Sequence, residues 1–126
     1  MISNRFLRCE VCGNIIGMIF DAGIPMMCCG EEMTPLKANS VDASQEKHVP
    51  EVTVDGSSVK VKIGSAPHPM EKVHYIEWVY VQTESGGQRK ALKPGMEPEL
   101  NFALADDSAK AVFAYCNLHG LWVKEL

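Results

Sequence analysis

The residues best suited to chemistry are a cysteine and a histidine near the C-terminal end, in the stretch Cys116-Asn117-Leu118-His119-Gly120. One tight turn with this spacing can direct both side chains at a single ion. Thiolate and imidazole are ligands that transition metals accept and that calcium and magnesium do not. Because an isolated cysteine is usually a small core residue, the pair predicts half of a metal site, which other residues must complete.

The histidines of the chain are the candidates to complete it. There are four, all at predicted strand edges or in loops: His48, His68, His74 and His119. A single histidine is usually a surface residue or a hydrogen-bonded core residue, but four together, none in a strand interior and one beside an unpaired cysteine, are candidates for further metal ligands. Pro67 and Pro69 flank His68, and their fixed backbone suits a preorganised site.

A second group of thiols lies in the first 29 residues, in Cys9-Glu10-Val11-Cys12-Gly13 and Cys28-Cys29-Gly30. Four thiolates at this spacing fit zinc and a single iron equally well. The first pair predicts a knuckle in which backbone N–H groups point at the Cys9 sulfur and Gly13 has a positive φ. Neighbouring strand residues point to opposite faces, so Cys28 and Cys29 need a bent backbone, with Gly30 relieving the strain.

Other uses of these cysteines are excluded or disfavoured. Gly13 follows Cys12 where a c-type haem would need a histidine, and no βαβ pattern surrounds the pair as in a thioredoxin-like protein. Five cysteines in a reducing compartment indicate metal or redox chemistry rather than disulfides. We expect that compartment to be the cytoplasm, because residues 1–8 lack the apolar core of a signal peptide.

Composition narrows the class of partner. The 126 residues are 46% hydrophobic with a net charge of -4, and no cluster of Lys and Arg stands out. A nucleic-acid or anionic-membrane partner is therefore disfavoured. The most apolar stretch, Ile15 to Phe20, is too short to cross a bilayer.

The elements that must position the ligands are predicted to be short strands, with no helix. Residues 1–37 are too few to fold without a metal, and residues 38–45 indicate a linker. Residues 52–63 predict a hairpin with a turn slightly longer than two residues at Asp55-Gly56. A strand from Tyr75 to Thr83 is expected to be buried on both sides, with one face formed by Ile76, Trp78 and Tyr80 and the other by Val79 and Val81.

Further strands are expected at about residues 89–92, 99–104, 110–115 and 121–126. Seven short strands separated by turn signals are typical of an antiparallel β-sandwich of the immunoglobulin type. The predicted fold is therefore mainly β, with a small four-cysteine domain before an immunoglobulin-like sandwich.

In order and spacing, these motifs resemble those of the desulfoferrodoxin family, the two-iron superoxide reductases. The resemblance covers the whole chain and is carried by Cys9-x-x-Cys12, Cys28-Cys29, Glu46-Lys47-His48-Val49-Pro50, His68-Pro69-Met70, His74-Tyr75-Ile76-Glu77-Trp78 and Cys116-Asn117-Leu118-His119-Gly120. It implies a desulforedoxin-like iron domain over residues 1–37 and a superoxide reductase β-sandwich domain over residues 38–126.

The resemblance also implies the ligands of two irons. One would be held by Cys9, Cys12, Cys28 and Cys29. The other, ferrous when active, would have His48, His68, His74 and His119 around its equator and Cys116 as the axial ligand, with the opposite position open to solvent. A departure from the family pattern is the neutral stretch Phe113-Ala114-Tyr115, where relatives often carry charge, and it bears on the redox tuning of Cys116.

The implied activity is that of an oxidoreductase that reduces superoxide by one electron to hydrogen peroxide without producing dioxygen. Lys47 would attract the anion and hold a water that protonates the product, and Glu46 would gate the open position. The resemblance further implies a homodimer and rubredoxin-like proteins as electron donors.

Three other interpretations remain open from the residues alone. In the first, both irons only carry electrons and nothing binds at the open position. The second is a cupredoxin-like copper protein, which has fewer histidine ligands and usually a methionine after the last one, whereas residues 120–126 contain none. The third is a zinc-stabilised binding module, which metal analysis distinguishes from an iron protein.

Overall fold

The computed structural model describes residues 5–126. Two compact units, Met1–Lys37 and Ala38–Leu126, divide the chain. Within the described residues there are twelve strands and one helix of four residues. The prediction of a mainly β protein is confirmed, and that helix is far too short to span a membrane.

The first unit consists of small antiparallel sheets around the cysteines. Its strands are β1 (Arg5–Arg8), β2 (Ile15–Met18), β3 (Met27–Cys28), β4 (Glu31–Glu32) and β5 (Thr34–Pro35). One sheet has the order β2-β1-β5, and β3 pairs with β4. Leu7, Cys9 and Met33 form a buried cluster, against which Cys28 packs, and Phe6 is buried as well. One of the four cysteines is therefore part of the core, and a second packs directly against it.

The second unit is a seven-stranded sandwich. Its elements are α1 (Gln45–His48), β6 (Pro50–Asp55), β7 (Ser58–Ile63), β8 (Ile76–Thr83), β9 (Gly87–Ala91), β10 (Glu99–Ala103), β11 (Ala109–Cys116) and β12 (Gly120–Glu125). One antiparallel sheet has the order β10-β7-β6 and the other β12-β11-β8-β9. This arrangement of three and four strands confirms the predicted immunoglobulin-like sandwich.

The core of the sandwich follows the period of two read from the sequence. In β7, Val59, Val61 and Ile63 are buried while the lysines between them are exposed. Twelve buried residues form one continuous cluster: Val59, Val61, Ile63, Ile76, Val79, Val81, Leu92, Phe102, Leu104, Val112, Ala114 and Cys116. The thiol of the Cys116-to-Gly120 motif is thus anchored in the apolar interior.

A β-bulge in β8 corrects one prediction and places this thiol. Ile76 was predicted to share a face with Trp78 and Tyr80, but it packs in the core with Val79 and Val81. Tyr115 pairs with Trp78 whereas Cys116 pairs with Ile76, so Glu77 is an extra residue in the ladder. An extra residue shifts the alternation of side chains by one, so residues beyond a bulge point to the opposite face of the sheet. Ile76 therefore points inward, beside Cys116.

Two further predictions were wrong in detail. Asp55 pairs with Ser58, so the turn between β6 and β7 contains only Gly56 and Ser57 and is not longer than two residues; Gly56, with φ +60, supplies the left-handed conformation such a turn needs. The helix α1 was not predicted because a single turn is too short to show helical periodicity. It begins at Gln45, the last residue of the expected linker.

Candidate metal centres

The four cysteines of the first unit come together as predicted. The sulfurs of Cys9, Cys12, Cys28 and Cys29, here called the four-cysteine site, all lie within 4.8 Å of one another. The Cys12 and Cys28 sulfurs are 3.7 Å apart, and those of Cys28 and Cys29 are 4.0 Å apart. A tetrahedral metal with metal–sulfur bonds of about 2.3 Å separates its sulfurs by about 3.8 Å. The spacing therefore fits one such ion.

The backbone around the first pair forms the expected knuckle. The Cys12 N–H donates to the Cys9 sulfur at 3.4 Å, and Gly13 has φ +84. At the second pair, strain was expected to fall on Gly30, which does have φ +77, but Cys29 itself is also left-handed with φ +53. A non-glycine residue in this conformation is costly unless something holds it there. The common position of the four sulfurs supplies that constraint.

The charges of these thiols also point to a cation. The N–H of Cys12 lowers the pKa of Cys9 to about 6. Hydrogen bonding with Cys12 raises the pKa of Cys29 to about 12, and hydrogen bonding with Cys9 raises that of Cys28. Adjacent thiols cannot all ionise without a compensating positive charge. A bound metal ion would supply that charge and displace the remaining protons.

The four histidine rings of the second unit form a square. Neighbouring ring centroids are 4.6 Å (His48 and His68), 4.8 Å (His68 and His74), 5.1 Å (His74 and His119) and 4.9 Å (His119 and His48) apart. Each neighbouring pair meets nearly edge-on, at 74° to 88°, and the diagonal from His48 to His74 is 6.4 Å. This is the arrangement of four imidazoles around one common point.

Cys116 completes this second group, here called the histidine-cysteine site. Ligand atoms of His48, His68, His74 and Cys116 lie within 4.8 Å of one another. The Nδ1 atom of His119 is 3.1 Å from Nε2 of His48 and 4.0 Å from the Cys116 sulfur. The structure thus brings together all five residues that the sequence motifs predicted.

Each histidine comes from a different part of the chain. His48 ends α1, which corrects its expected place in a loop or at a strand edge, and His68 follows the turn after β7. His74 precedes β8, and His119 lies in the turn between β11 and β12. Ligands contributed by four separate connections converge because the two sheets place the ends of those elements together.

In two of the rings, a hydrogen bond at Nδ1 decides that Nε2 is the nitrogen that faces the other histidines. Nδ1 of His48 is 2.6 Å from the Ser44 carbonyl, and Nδ1 of His68 is 2.7 Å from the Pro69 carbonyl. A carbonyl oxygen only accepts, so each Nδ1 carries the proton and each Nε2 has a free lone pair. The Nε2 atoms of His68 and His74 are buried without a hydrogen-bond partner.

Electrostatics keep these rings in the form that binds metals. Burial lowers the pKa of His68 to about 4, and it also lowers the pKa of His48 and of His74. These three rings are therefore neutral near pH 7, as metal binding requires. Buried, unpaired and neutral nitrogens directed at one point are a costly arrangement, and a metal ion at that point would satisfy them.

The Cys116 sulfur has an equally defined surrounding. Burial raises the pKa of its thiol, while the backbone N–H groups of Leu118 and His119 act in the opposite direction. These two donors stabilise a thiolate once a cation displaces the proton. Glu77 at the bulge adds a nearby negative charge. All three residues of the neutral stretch before Cys116 are buried in β11, where a charged side chain would be costly.

Glu46 and Lys47 lie on the exposed side of α1, directly before His48. The positive charge of Lys47 contributes to the lowered pKa of both His48 and His74, so it is felt at the histidine-cysteine site. Glu46 accepts a hydrogen bond from the Ser44 hydroxyl at 3.4 Å. The single turn that carries them cannot be stable alone.

A turn after β7 holds α1 in place. The Glu46 carbonyl accepts the Ala66 N–H at 3.0 Å and the Ser65 hydroxyl at 3.3 Å. Gly64 lies so close that a Cβ there would be 2.6 Å from the Glu46 oxygen and 2.7 Å from the Lys47 carbonyl carbon. This contact was missed from the sequence, because a glycine beside a serine indicates only a turn.

Two other supporting residues were not singled out from the sequence. Trp122 stacks on His48 with ring centroids 4.8 Å apart, and its Nε1 donates to the His119 carbonyl at 3.1 Å. In the four-cysteine site, the Asn14 side chain donates to the Cys28 sulfur at 3.8 Å. Neither residue type has a spacing that distinguishes such a role from ordinary packing.

Known protein families match both units of the chain. The desulfoferrodoxin family model matches residues 40–125, and the model of the desulfoferrodoxin N-terminal domain matches residues 3–36. The desulfoferrodoxin homolog of Archaeoglobus fulgidus is 44% identical over 115 residues, 91% of each chain. A superoxide reductase of Pyrococcus horikoshii is 35% identical, over 69% of this chain and 91% of its own.

A solved structure extends the similarity to the fold. The crystal structure of the superoxide reductase from Treponema pallidum matches with a TM-score of 0.83 and 39% identity, covering 98% of this chain and 100% of that one. The four-cysteine site and the histidine-cysteine site are consistent with the two iron sites of desulfoferrodoxin.

Proposed function

The chain belongs to the desulfoferrodoxin family, and we propose that it is a superoxide reductase whose chemistry takes place at the histidine-cysteine site. The observation that carries the proposal is the square of four imidazoles beside one buried thiol. Relatives of similar fold named superoxide reductases support it. The reaction is the reduction of superoxide, with one electron and two protons, to hydrogen peroxide.

Five residues would hold the metal: His48, His68, His74, His119 and Cys116. An iron bound by them would supply the single electron when it passes from the ferrous to the ferric state. The chain holds the imidazoles edge-on to one another, and burial keeps those of His48, His68 and His74 neutral. The N–H groups of Leu118 and His119 temper the electron donation of the Cys116 sulfur.

Superoxide is a small anion, and Lys47 is proposed to bring it to the site. The ammonium is exposed on α1, and its charge reaches two of the ligand histidines. A positive charge at the entrance raises the local concentration of an anion and speeds its encounter. Water held beside Lys47 would supply protons to the product. Glu46, exposed on the same turn, would limit the access of further anions to the oxidised site.

The remaining assignments rest on family membership. We propose that residues 1–37 form a desulforedoxin-like iron domain and residues 38–126 the superoxide reductase domain. A rubredoxin-like protein is the proposed electron donor, because one electron must return to the site after each reaction. A homodimer is the proposed assembly, and the cytoplasm the proposed compartment.

The test is to mix the fully reduced protein with superoxide in the absence of any external donor. Each histidine-cysteine site should consume one superoxide and yield one hydrogen peroxide, with no dioxygen released. The zinc-loaded protein is the control, since zinc cannot donate an electron. Failure to consume superoxide would leave the alternative of a non-catalytic iron electron-transfer protein, and release of dioxygen would indicate dismutation instead.

A further inference from the structure

We propose that Asn117 is a positioning residue that fixes His74 relative to Cys116. The inference deepens the proposed function and rests on the histidine-cysteine site being a metal centre. Asn117 follows Cys116 directly in the chain, while His74 comes from the connection before β8. The side-chain amide of Asn117 joins these two ligands, which are 42 residues apart in sequence.

Three hydrogen bonds make this junction. The Asn117 Nδ2 donates to the Val73 carbonyl at 3.0 Å, and its Oδ1 accepts the Tyr75 N–H at 2.9 Å. The Asn117 backbone N–H donates to the Tyr75 carbonyl at 3.2 Å. The amide therefore holds the residue before His74 and the residue after it at the same time.

The backbone of His74 itself is held from the other side. Its N–H donates to the Glu71 carbonyl at 3.0 Å, and its carbonyl accepts the Glu71 N–H at 2.9 Å. Together with Asn117, these bonds satisfy the main-chain groups that border His74 and leave the segment little freedom. A carboxamide suits this position because it has a donor and an acceptor on adjacent atoms, as a peptide group does.

The orientation of the His74 ring depends on its backbone more than the orientations of the His48 and His68 rings do. The rings of His48 and His68 are each oriented by a carbonyl on the far nitrogen. Across residues 5–126 no such bond is seen for the His74 ring, whose Nε2 is buried without a partner. The direction of that nitrogen is then set by the main chain on either side, which Asn117 holds. Outer contacts of this kind typically change metal affinity by about 10- to 100-fold when lost.

Asn39 provides a matched control in the same unit. Its side chain makes the same pair of bonds to another backbone, because Nδ2 donates to the Val123 carbonyl at 3.2 Å and Oδ1 accepts the Val123 N–H at 2.9 Å. Val123 does not ligate the site, but it follows Trp122, which stacks on His48, so any loosening of Trp122 makes the comparison with Asn117→Ala stricter. Asn39 also has φ +58, so alanine there adds backbone strain. Asn39→Ala should therefore cost at least as much stability as Asn117→Ala without touching a ligand.

The experiment compares Asn117→Ala and Asn39→Ala in the full-length, iron-loaded, reduced protein. Release of iron to a chelator is followed with iron analysis, and the absorption of the four-cysteine iron after reoxidation identifies which iron is lost. Amide hydrogen exchange of Tyr75 is measured in parallel. For Asn117→Ala we expect the second iron to leave at least about 10-fold faster than in Asn39→Ala, with faster exchange at Tyr75.

Equal release rates in the two variants would overturn the proposal and make Asn117 an ordinary structural contact. If Asn117→Ala does not fold, Asn117→Ser replaces it, because the serine hydroxyl can make only one of the two side-chain bonds. An iron release rate in Asn117→Ser equal to that in Asn39→Ala would again overturn the proposal. The readout is iron retention, so a protein that binds both irons but consumes no superoxide would refute the proposed function and leave this inference standing.

Discussion

The two units of this chain hold their candidate metals in opposite ways. In the first, the buried side chains among the described residues are only Phe6, Leu7, Cys9 and Met33, and one ligand is among them. In the second, twelve residues form the core, and Cys116 is its only ligand. The four-cysteine site therefore takes the place of a core, whereas the histidine-cysteine site is attached to a scaffold that is complete without it.

This difference suggests a division of roles. A unit of fewer than 40 residues rarely buries enough apolar surface to fold alone, so a metal there contributes to folding directly. A sandwich with its own core can instead support costly features, such as neutral buried imidazoles with unpaired nitrogens. Features of that kind are where chemistry is expected. We therefore expect the first metal to be structural and the second to be the reactive one.

Metal removal should have the largest effect, and it should change the stability of the two units to different extents. Metal binding by small thiolate domains is worth on the order of 10 kcal/mol of folding free energy, so the first unit should unfold on removal while the sandwich stays folded. Amide hydrogen exchange measures this, with loss of protection in β1 and retained protection at Val79 and Val112. Protected β1 amides in the metal-free protein would show that the first unit does not need its ion.

A cysteine substitution in each unit should repeat this contrast on a smaller scale. Cys28→Ser should lose one of two irons and loosen the first unit. Cys116→Ser should lose or alter the other iron, but cost the sandwich only about 1 to 3 kcal/mol for a buried hydroxyl. Iron analysis and denaturant unfolding of both variants measure this. A sandwich that unfolds in Cys116→Ser would mean that its scaffold also depends on the metal.

Two glycine substitutions test how firmly the scaffold holds α1. Gly56 and Gly64 both have positive φ, at +60 and +80, so alanine at either costs about 1 to 2 kcal/mol in strain. A methyl group added at Gly64 would lie under 3 Å from backbone atoms, whereas one added at Gly56 would meet nothing within 4 Å. Gly64→Ala should cost about 1 to 3 kcal/mol more and slow superoxide consumption. Equal unfolding free energies would show that the turn yields without strain.

The smallest expected effect is that of a single charge at the entrance. Lys47→Ala should slow superoxide consumption by about 3- to 10-fold and weaken its dependence on salt, since the attraction of the anion is lost. Lys60→Ala removes the same charge from the exposed face of β7 and should leave the rate unchanged. Stopped-flow measurements at several ionic strengths compare them. Identical salt dependence in the two variants would make Lys47 an ordinary surface lysine.

The sequence predicted the ligands well because their chemistry is specific to residue type. Few residue types bind transition metals, so the positions of the cysteines and histidines in the sequence were enough to predict both candidate sites. The sandwich was predictable for a similar reason, because alternation such as that of Val59, Val61 and Ile63 has one structural interpretation.

The supporting contacts were not predictable, because they depend on what the fold brings together. Asn39 and Asn117 make the same two bonds to distant backbones, yet only one borders a ligand. The bulge at Glu77 is set by the pairing of β8 with β11 rather than by local sequence. The stacking of Trp122 on His48 joins α1 to β12, which no local pattern indicates.

The most direct test of the reactive role of the second unit is superoxide consumption by reduced Cys28→Ser. This variant should lose the first iron, keep the second, and consume superoxide at a rate within about threefold of the unchanged chain, as expected when a substitution leaves the transition state untouched. A variant that keeps its second iron but no longer consumes superoxide would contradict the assignment of the chemistry to the histidine-cysteine site.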